Sequence, residues 1–134
     1  MTNTNNCIYL FSGKCKQTDE WITGSLVGTK KKMYILKSKA TTYIPLKSTT
    51  LCTNSCYEVN PETVRPYTGF IDREGQYIFL SDIVEYEQEG KRVVCTVEIR
   101  NYTLYPFVNV LPQLVKVIGN TFDNLDLMSS KKGN

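Results

Sequence analysis

Histidine is missing altogether, and that single absence removes several kinds of enzyme. Cys–His and Ser–His nucleophile pairs cannot be built, and neither a Gly-x-Ser-x-Gly elbow nor a Gly-x-x-x-x-Gly-Lys phosphate loop stands in their place. Long apolar runs are missing too. Met1 to Asn6 is polar and uncharged, and Cys7 to Phe11 is too short for the core of a secretory signal, so neither export nor a membrane span is expected. Without secretion, the glycosylation pattern Asn101-Tyr102-Thr103 reads as coincidence. A disulfide framework is also lacking: Cys7, Cys15, Cys52, Cys56 and Cys95 are odd in number and irregularly spaced, which points to a reducing cytosol. Cys52-x-x-x-Cys56 has the closeness of a zinc pair, but Cys7 with Cys15 makes a poor second pair. The cysteines read as structural thiols, with no metal and no cofactor expected.

What the chain does have is β-forming material. Its 134 residues are enough for one domain with a real core, and the expectation is a single domain over 1–134. Aromatics make up 11% of the residues, nine of them Tyr, and Val, Ile and Thr are frequent, which favours pleated surfaces. The net charge of +3 conceals an asymmetry, with residues 1–50 at +6 and the remainder at −3.

Alternation and turn chemistry place the strands. In Glu20 to Val27, Trp21, Thr23, Ser25 and Val27 fall on one face and Ile22, Gly24 and Leu26 on the other. Lys31 to Lys37 reads as the partner across a Gly-Thr-Lys turn. Ser38 to Asn60 reads as a long irregular connection with a brief extended piece near Tyr43 to Leu46, and Pro61 can open a single helical turn. Asp72-Arg-Glu-Gly75 is a hairpin loop on the solvent side, between a strand ending near Ile71 and one over Gln76 to Leu80. Ser81-Asp82 makes a corner into Ile83 to Glu87, and Glu89-Gly90-Lys91 turns into Arg92 to Arg100, with Val93, Cys95, Val97 and Ile99 on one face. Leu104 to Leu111 reads as a further strand that Pro106 confines to an edge or bulge. Leu114 to Ile118 is the last apolar run, Asp123 can cap a short C-terminal helix, and 129–134 reads as a tail. These hairpins predict a mainly β fold, a small meander or barrel.

Four separated stretches carry a resemblance: Phe11-Ser-Gly-Lys with Glu20-Trp-Ile-Thr-Gly; Val59-Asn-Pro-Glu-Thr-Val; Tyr67-Thr-Gly-Phe-Ile-Asp-Arg-Glu-Gly leading into Asp82-Ile-Val; and Val117-Ile-Gly-Asn-Thr-Phe-Asp-Asn. In this order, over roughly residues 11–128, the chain resembles the YopX family of small phage and prophage proteins. The resemblance implies an SH3-like small barrel with extra antiparallel strands and a short C-terminal helix, carried on mobile elements, and no known activity. It marks Trp21, Gly24, Pro61, Glu62, Tyr67, Thr68, Gly69, Asp72, Gly75, Asp82, Gly119 and Asn120 as motif positions with structural duties. The chain departs from the pattern at Leu80-Ser81, where Glu-Gly is usual, and at Leu125-Asp126-Leu127-Met128, where Pro-Glu-Leu-Leu is usual.

Two features offer chemistry. Asp72, Glu74 and Asp82 are carboxylates within a short span, yet turn and corner hydrogen bonding accounts for them. Lys30 to Lys47 is Lys-rich, and Lys30, Lys31, Lys32, Lys37, Lys39 and Lys47 with Tyr34 and Tyr43 have the chemistry to neutralise phosphates and stack on bases. Edge strands also carry Lys simply to stay soluble, and no readout motif accompanies the charge. The expectation is a non-catalytic binding or assembly module with a protein partner, and the alternative is a nucleic-acid-binding accessory protein.

Overall fold

The structure is a computed structural model that describes residues 10–29, 31–37 and 56–128. Among the described residues the strands pair in antiparallel fashion, as short hairpins punctuated by turn residues dictate. The chain divides into two compact units, Met1–Pro66 and Tyr67–Asn134.

In the first unit, β1 (Phe11–Lys14), β2 (Trp21–Gly28), β3 (Met33–Lys37) and β4 (Cys56–Val59) lie in the order β4-β3-β2-β1. The period-two reading of β2 holds: Ile22 is buried and Leu26 packs on the core, while Ser25 and Val27 are exposed. Gly24 lies where the sheet admits no side chain, because a Cβ there would sit 1.8 Å from the carbonyl oxygen of Leu36 on β3. Cys15, Ile22, Ile35 and Val59 form the core, flanked by Phe11, Leu26, Met33, Tyr57 and Val64.

The sheet curls enough for the chain just beyond β1 to reach β4. Cys15 bridges Val59, Asn60 N–H donates to Lys14 C=O, and Lys16 N–H donates to Glu58 C=O. This single bridge ties one end, and no barrel closes among the described residues. Strand β4 corrects the expectation of irregular chain up to Asn60: Cys-Tyr-Glu-Val is too short to announce itself, and its pairing with β3 decides it. The extended piece expected near Tyr43 to Leu46 lies outside the described residues.

The turn expected at Pro61 is present as a 3-10 turn, Pro61–Thr63. Asn60 accepts from Glu62 N–H at its start, and the Thr63 hydroxyl donates to Asn60 C=O while accepting from Lys14 N–H, 49 residues away. Strand β5 (Arg65–Ile71) follows, and its first two residues pair with Ser12 and Phe11 of β1.

In the second unit, the rest of β5 pairs with β6 (Tyr77–Phe79). A three-stranded sheet has the order β11-β7-β8, from β7 (Asp82–Gln88), β8 (Lys91–Thr96) and β11 (Lys116–Asn120). A two-stranded ribbon is made by β9 (Glu98–Arg100) and β10 (Thr103–Tyr105). Ile78, Val84, Tyr86, Cys95, Val97 and Val115 form the core.

Three strand expectations need correction here. The run Arg92 to Arg100 breaks at Val97, whose N–H donates to Asp82 C=O, and Ile99 is 63% exposed rather than inward because β9 leaves the sheet to pair with β10. The run Leu104 to Leu111 is a strand only to Tyr105; beyond it Phe107 N–H bonds Leu104 C=O and Val110 N–H bonds Pro106 C=O, which turns the chain. Leu114 belongs to a second 3-10 turn, Pro112–Leu114, and the strand starts at Lys116. At the C-terminal end the side-chain oxygen of Asn120 accepts from the N–H groups of Phe122 and Asp123 and closes the turn at 121–123, and residues 126–128 take helical backbone.

Candidate functional site

The carboxylates come first, because only they had the makings of acid–base chemistry. Asp72 was expected on a solvent-facing turn, but it is 5% exposed. Its Oδ1 accepts from the N–H groups of Glu74 (2.8 Å) and Gln76 (2.9 Å), and its Oδ2 accepts from Val117 N–H (2.9 Å), 45 residues along. One side chain therefore shapes the β5–β6 loop and ties that loop to β11. It meets Val117 where the β11–β7 register slips, so the carboxylate serves an amide beside the irregularity. Glu74 is surface-exposed and lies 3.8 Å from the ammonium of Lys116.

Asp82 is likewise buried, and its Oδ2 accepts from Phe79 N–H at 2.8 Å. Ser81 beside it has φ 75, so this corner keeps a left-handed backbone with Ser where the family pattern has Gly. Its main chain donates to Val97 C=O and accepts from Thr121 N–H. Both aspartates bond main-chain amides at hydrogen-bonding distance, which is what holds these corners closed.

The remaining motif positions in this unit also have structural duties. Gly75 has φ 84, closing the loop that Asp72 opens, and Gly69 has φ 93 in the irregularity between Tyr67↔Phe79 and Ile71↔Tyr77. Thr68 donates to Ile78 C=O, and Tyr67 stacks on Tyr77 with ring centroids 4.7 Å apart. A Cβ at Gly119 would meet the Asn124 side chain at 2.6 Å, and that same side chain accepts from Asn120 N–H.

Among the described residues, the Lys- and Tyr-rich segment does not assemble as one face. Lys31 and Lys32 are exposed at the β2–β3 turn. Ile35 points into the core, so Tyr34 lies on the outer face of β3, whereas Lys37 shares the side of Ile35 and its ammonium lies 5.2 Å from the Tyr57 ring. Lys30, Lys39, Tyr43 and Lys47 lie outside the described residues.

A different cationic–aromatic group forms instead, on the side of β1 and β2 turned away from Ile22, with Arg65 buried. The Arg65 guanidinium lies 4.3 Å from the Trp21 ring centroid and the Lys14 ammonium 5.7 Å from it, while Lys14 also lies 3.6 Å from the Asp19 carboxylate. Trp21 is half-buried, as its alternation implied. Lys14 was recoverable in principle from pairing β1 against β2, which sets it opposite Trp21. Arg65 was not, since 44 residues separate it from Trp21 and only β5 lying beside β1 joins them.

Of the cysteines, Cys15 and Cys95 are buried and Cys56 is half-buried; Cys7 and Cys52 lie outside the described residues. Burial pushes the Cys95 thiol up to about 11. For Cys15, burial acts upward too, but hydrogen bonds from the Thr18 hydroxyl and the N–H groups of Thr18 and Gln17 outweigh it and lower the thiol. No three of Cys, Asp and Glu converge as a metal-holding group among the described residues. The second unit has an open groove of about 490 Å³, lined by Arg73, Glu85, Tyr86, Glu87, Arg92 and Leu114, in which Arg92 and Glu85 form an ion pair. Among the described residues no helix is long and apolar enough to cross a membrane.

The class that emerges is a mainly β protein of open antiparallel sheets, in which Asp72 and Asp82 organise the backbone. Compared with family models, residues 11–129 match that of the YopX protein, and the chain belongs to the YopX family. No curated protein and no solved structure matches it.

Proposed function

We propose that this YopX-family protein is a non-catalytic binding or assembly module of a phage or prophage, acting in the cytoplasm of the bacterial host. The observation that carries the reading is an aromatic ledge on the β5–β6 hairpin. Ile71 and Tyr77 pair across the two strands at 45% and 43% exposure, Tyr67 stacks on Tyr77, and Phe70 is 37% exposed with its ring edge on Phe107. Tyr and Phe offer large apolar area with few rotamers to freeze, which suits a protein–protein contact. The backbone duties of Asp72 and Asp82 support a non-catalytic role, and the curl of β1–β4, tied by the Cys15–Val59 bridge, supports an SH3-like arrangement in the first unit. The test is a pull-down from infected host cells with and without nuclease, using wild-type protein and the double variant Ile71→Ser/Tyr77→Ser. A protein retained after nuclease by the wild type and lost by the variant supports the module; loss of every partner on nuclease treatment rejects it.

A second reading, nucleic-acid binding, draws on the exposed Lys31 and Lys32 of the first unit. Phosphate contacts predict binding that falls steeply with salt, and neutralising Lys31 and Lys32 should flatten that slope by about two contacts' worth. No binding of single- or double-stranded oligonucleotide near physiological salt rejects this second reading.

A further inference from the structure

On the side of the β11-β7-β8 sheet turned away from Tyr86, ion pairing leaves two charges over. Alternation puts Glu85 and Glu87 together on β7, and the register sets Arg92 of β8 directly across from Glu87. Arg92 bonds the diagonal residue instead, its Nε donating to Glu85 Oε1 at 2.7 Å. Lys116 stands opposite Glu85 on β11, but its ammonium lies 3.8 Å from Glu74. The exposed Glu87 carboxylate therefore has no ion pair among the described residues, and neither has the exposed Arg73 guanidinium. Both line the groove of about 490 Å³. Arg73 N–H donates to Val115 C=O and the Asp72 carboxylate accepts from Val117 N–H, so residues 72 and 73 lie along the edge of β11 that faces away from β7. Two strand spacings, about 10 Å, thus separate the backbone at Arg73 from β7. Leu114, 56% exposed, lines the groove with them.

We infer that this groove takes an extended segment of a partner protein that presents an acidic side chain to Arg73 and a basic one to Glu87. The charges decide among occupants. A polyphosphate backbone would set its charge against Glu85 and Glu87, and a wholly apolar segment would take Arg73 and Glu87 out of water with nothing in its place. An open groove does not enclose a small zwitterion. A peptide crossing it places side chains two residues apart on one side, about 7 Å from each other, and Arg73, Glu87 and a Lys of the peptide are long enough to span the rest. The alkyl stem of that Lys would cover Leu114. Arg73 follows Ile71 of the β5–β6 ledge by two residues, so the ledge and the groove adjoin through one loop. The inference rests on the binding-module reading and supplies the charge pattern that the partner carries.

The experiment titrates nitrogen-15-labelled full-length protein with the peptide acetyl-Ala-Glu-Ala-Lys-Ala-amide and with versions carrying Gln in place of its Glu or of its Lys. The Glu/Lys peptide should shift the amide resonances of Leu114 and Glu87, and each neutralised version should bind about fivefold more weakly, the upper end for an exposed ion pair. Glu87→Lys should lose the Glu/Lys peptide and bind a version with Glu at both positions, a reversal that a merely structural Glu87 would not produce. If Glu87→Lys melts below wild type, Arg73→Gln carries the comparison, and it should bind the Glu/Lys peptide no better than the Gln/Lys one. No shift by about 10 mM peptide, or equal binding of all the versions, overturns the inference. Shifts of the same amides by phosphatidylcholine vesicles or a single-stranded oligonucleotide, with none from the peptide, put membrane or nucleic acid in the groove and overturn it as well. Capture from nuclease-treated host lysate separates the inference from the reading beneath it. A protein kept by Glu87→Lys and lost by Ile71→Ser/Tyr77→Ser overturns the groove and leaves the module intact, and capture of no protein by wild type overturns both.

Discussion

Removing the Asp72 carboxylate should open the second unit at two places that sequence separates widely. In Asp72→Ala, the N–H groups of Glu74, Gln76 and Val117 all lose their acceptor. The three are not equivalent. Glu74 and Gln76 are exposed loop residues whose amides can turn to water, so each bond is worth about 0.5–1 kcal/mol. Val117 is half-buried beside a bulge, and stranding its N–H costs about 2 kcal/mol, within the range for a buried group left without a partner. The total is roughly 3–4 kcal/mol, a large part of a domain's stability. In Asp72→Asn the amide oxygen can keep the two loop bonds while the NH2 group faces Val117 N–H, donor against donor, so that variant should lose about 2 kcal/mol. Urea titration followed by far-ultraviolet circular dichroism is the suitable assay, because the only tryptophan, Trp21, reports on the first unit. Hydrogen exchange at the Val117 amide should accelerate in both variants. If Asp72→Ala unfolds within about 0.5 kcal/mol of wild type, or exchange at Val117 is unchanged, the carboxylate is not the tie described here.

Three further outcomes follow from single positions. Gly24→Ala drives a Cβ into the Leu36 carbonyl and forces β2 from β3, lowering stability by about 3 kcal/mol and the melting temperature by about 10 °C; an unshifted melt contradicts the close approach. Gly75→Val meets no neighbouring atom within 4 Å, so its loss of about 1–2 kcal/mol is purely the strain of a β-branched residue at φ 84, and Gly75→Asn should recover most of it in the same urea titration. Burial holds the Cys95 thiol protonated to about pH 11, above the ordinary value of 9.0. Between those pH values the unfolded chain releases a proton that the folded chain keeps, so Cys95 lowers stability as pH rises from 9 to 11 and has no such effect below 9. In Cys95→Ala the decline across that window should shrink, and an identical pH profile would remove the assignment.

The β2–β3 hairpin and the Asp72–Gly75 loop were legible in the chain itself, because alternation at period two and the backbone demands of Asp and Gly are properties of neighbouring residues. The YopX motifs were legible for the same reason, each being a contiguous string. What lay beyond reach was set by distant partners. Strand β4 exists because β3 pairs with it, and the run Arg92 to Arg100 divides because Glu98–Arg100 pairs with β10 instead of β7. Ile99 continued a strand face in sequence, yet it is exposed because its ribbon leaves the sheet. Asp72 had every mark of a surface turn residue until Val117 supplied its third bond. Tyr34 and Lys37 of the early basic segment shared a chemistry but not a face, since alternation puts them on opposite sides of β3; Arg65 reached Trp21 only by β5 lying beside β1. Local sequence determined turns and strand periodicity, where the governing interactions span a few residues, while pairing and burial, which span dozens, determined which side chains meet.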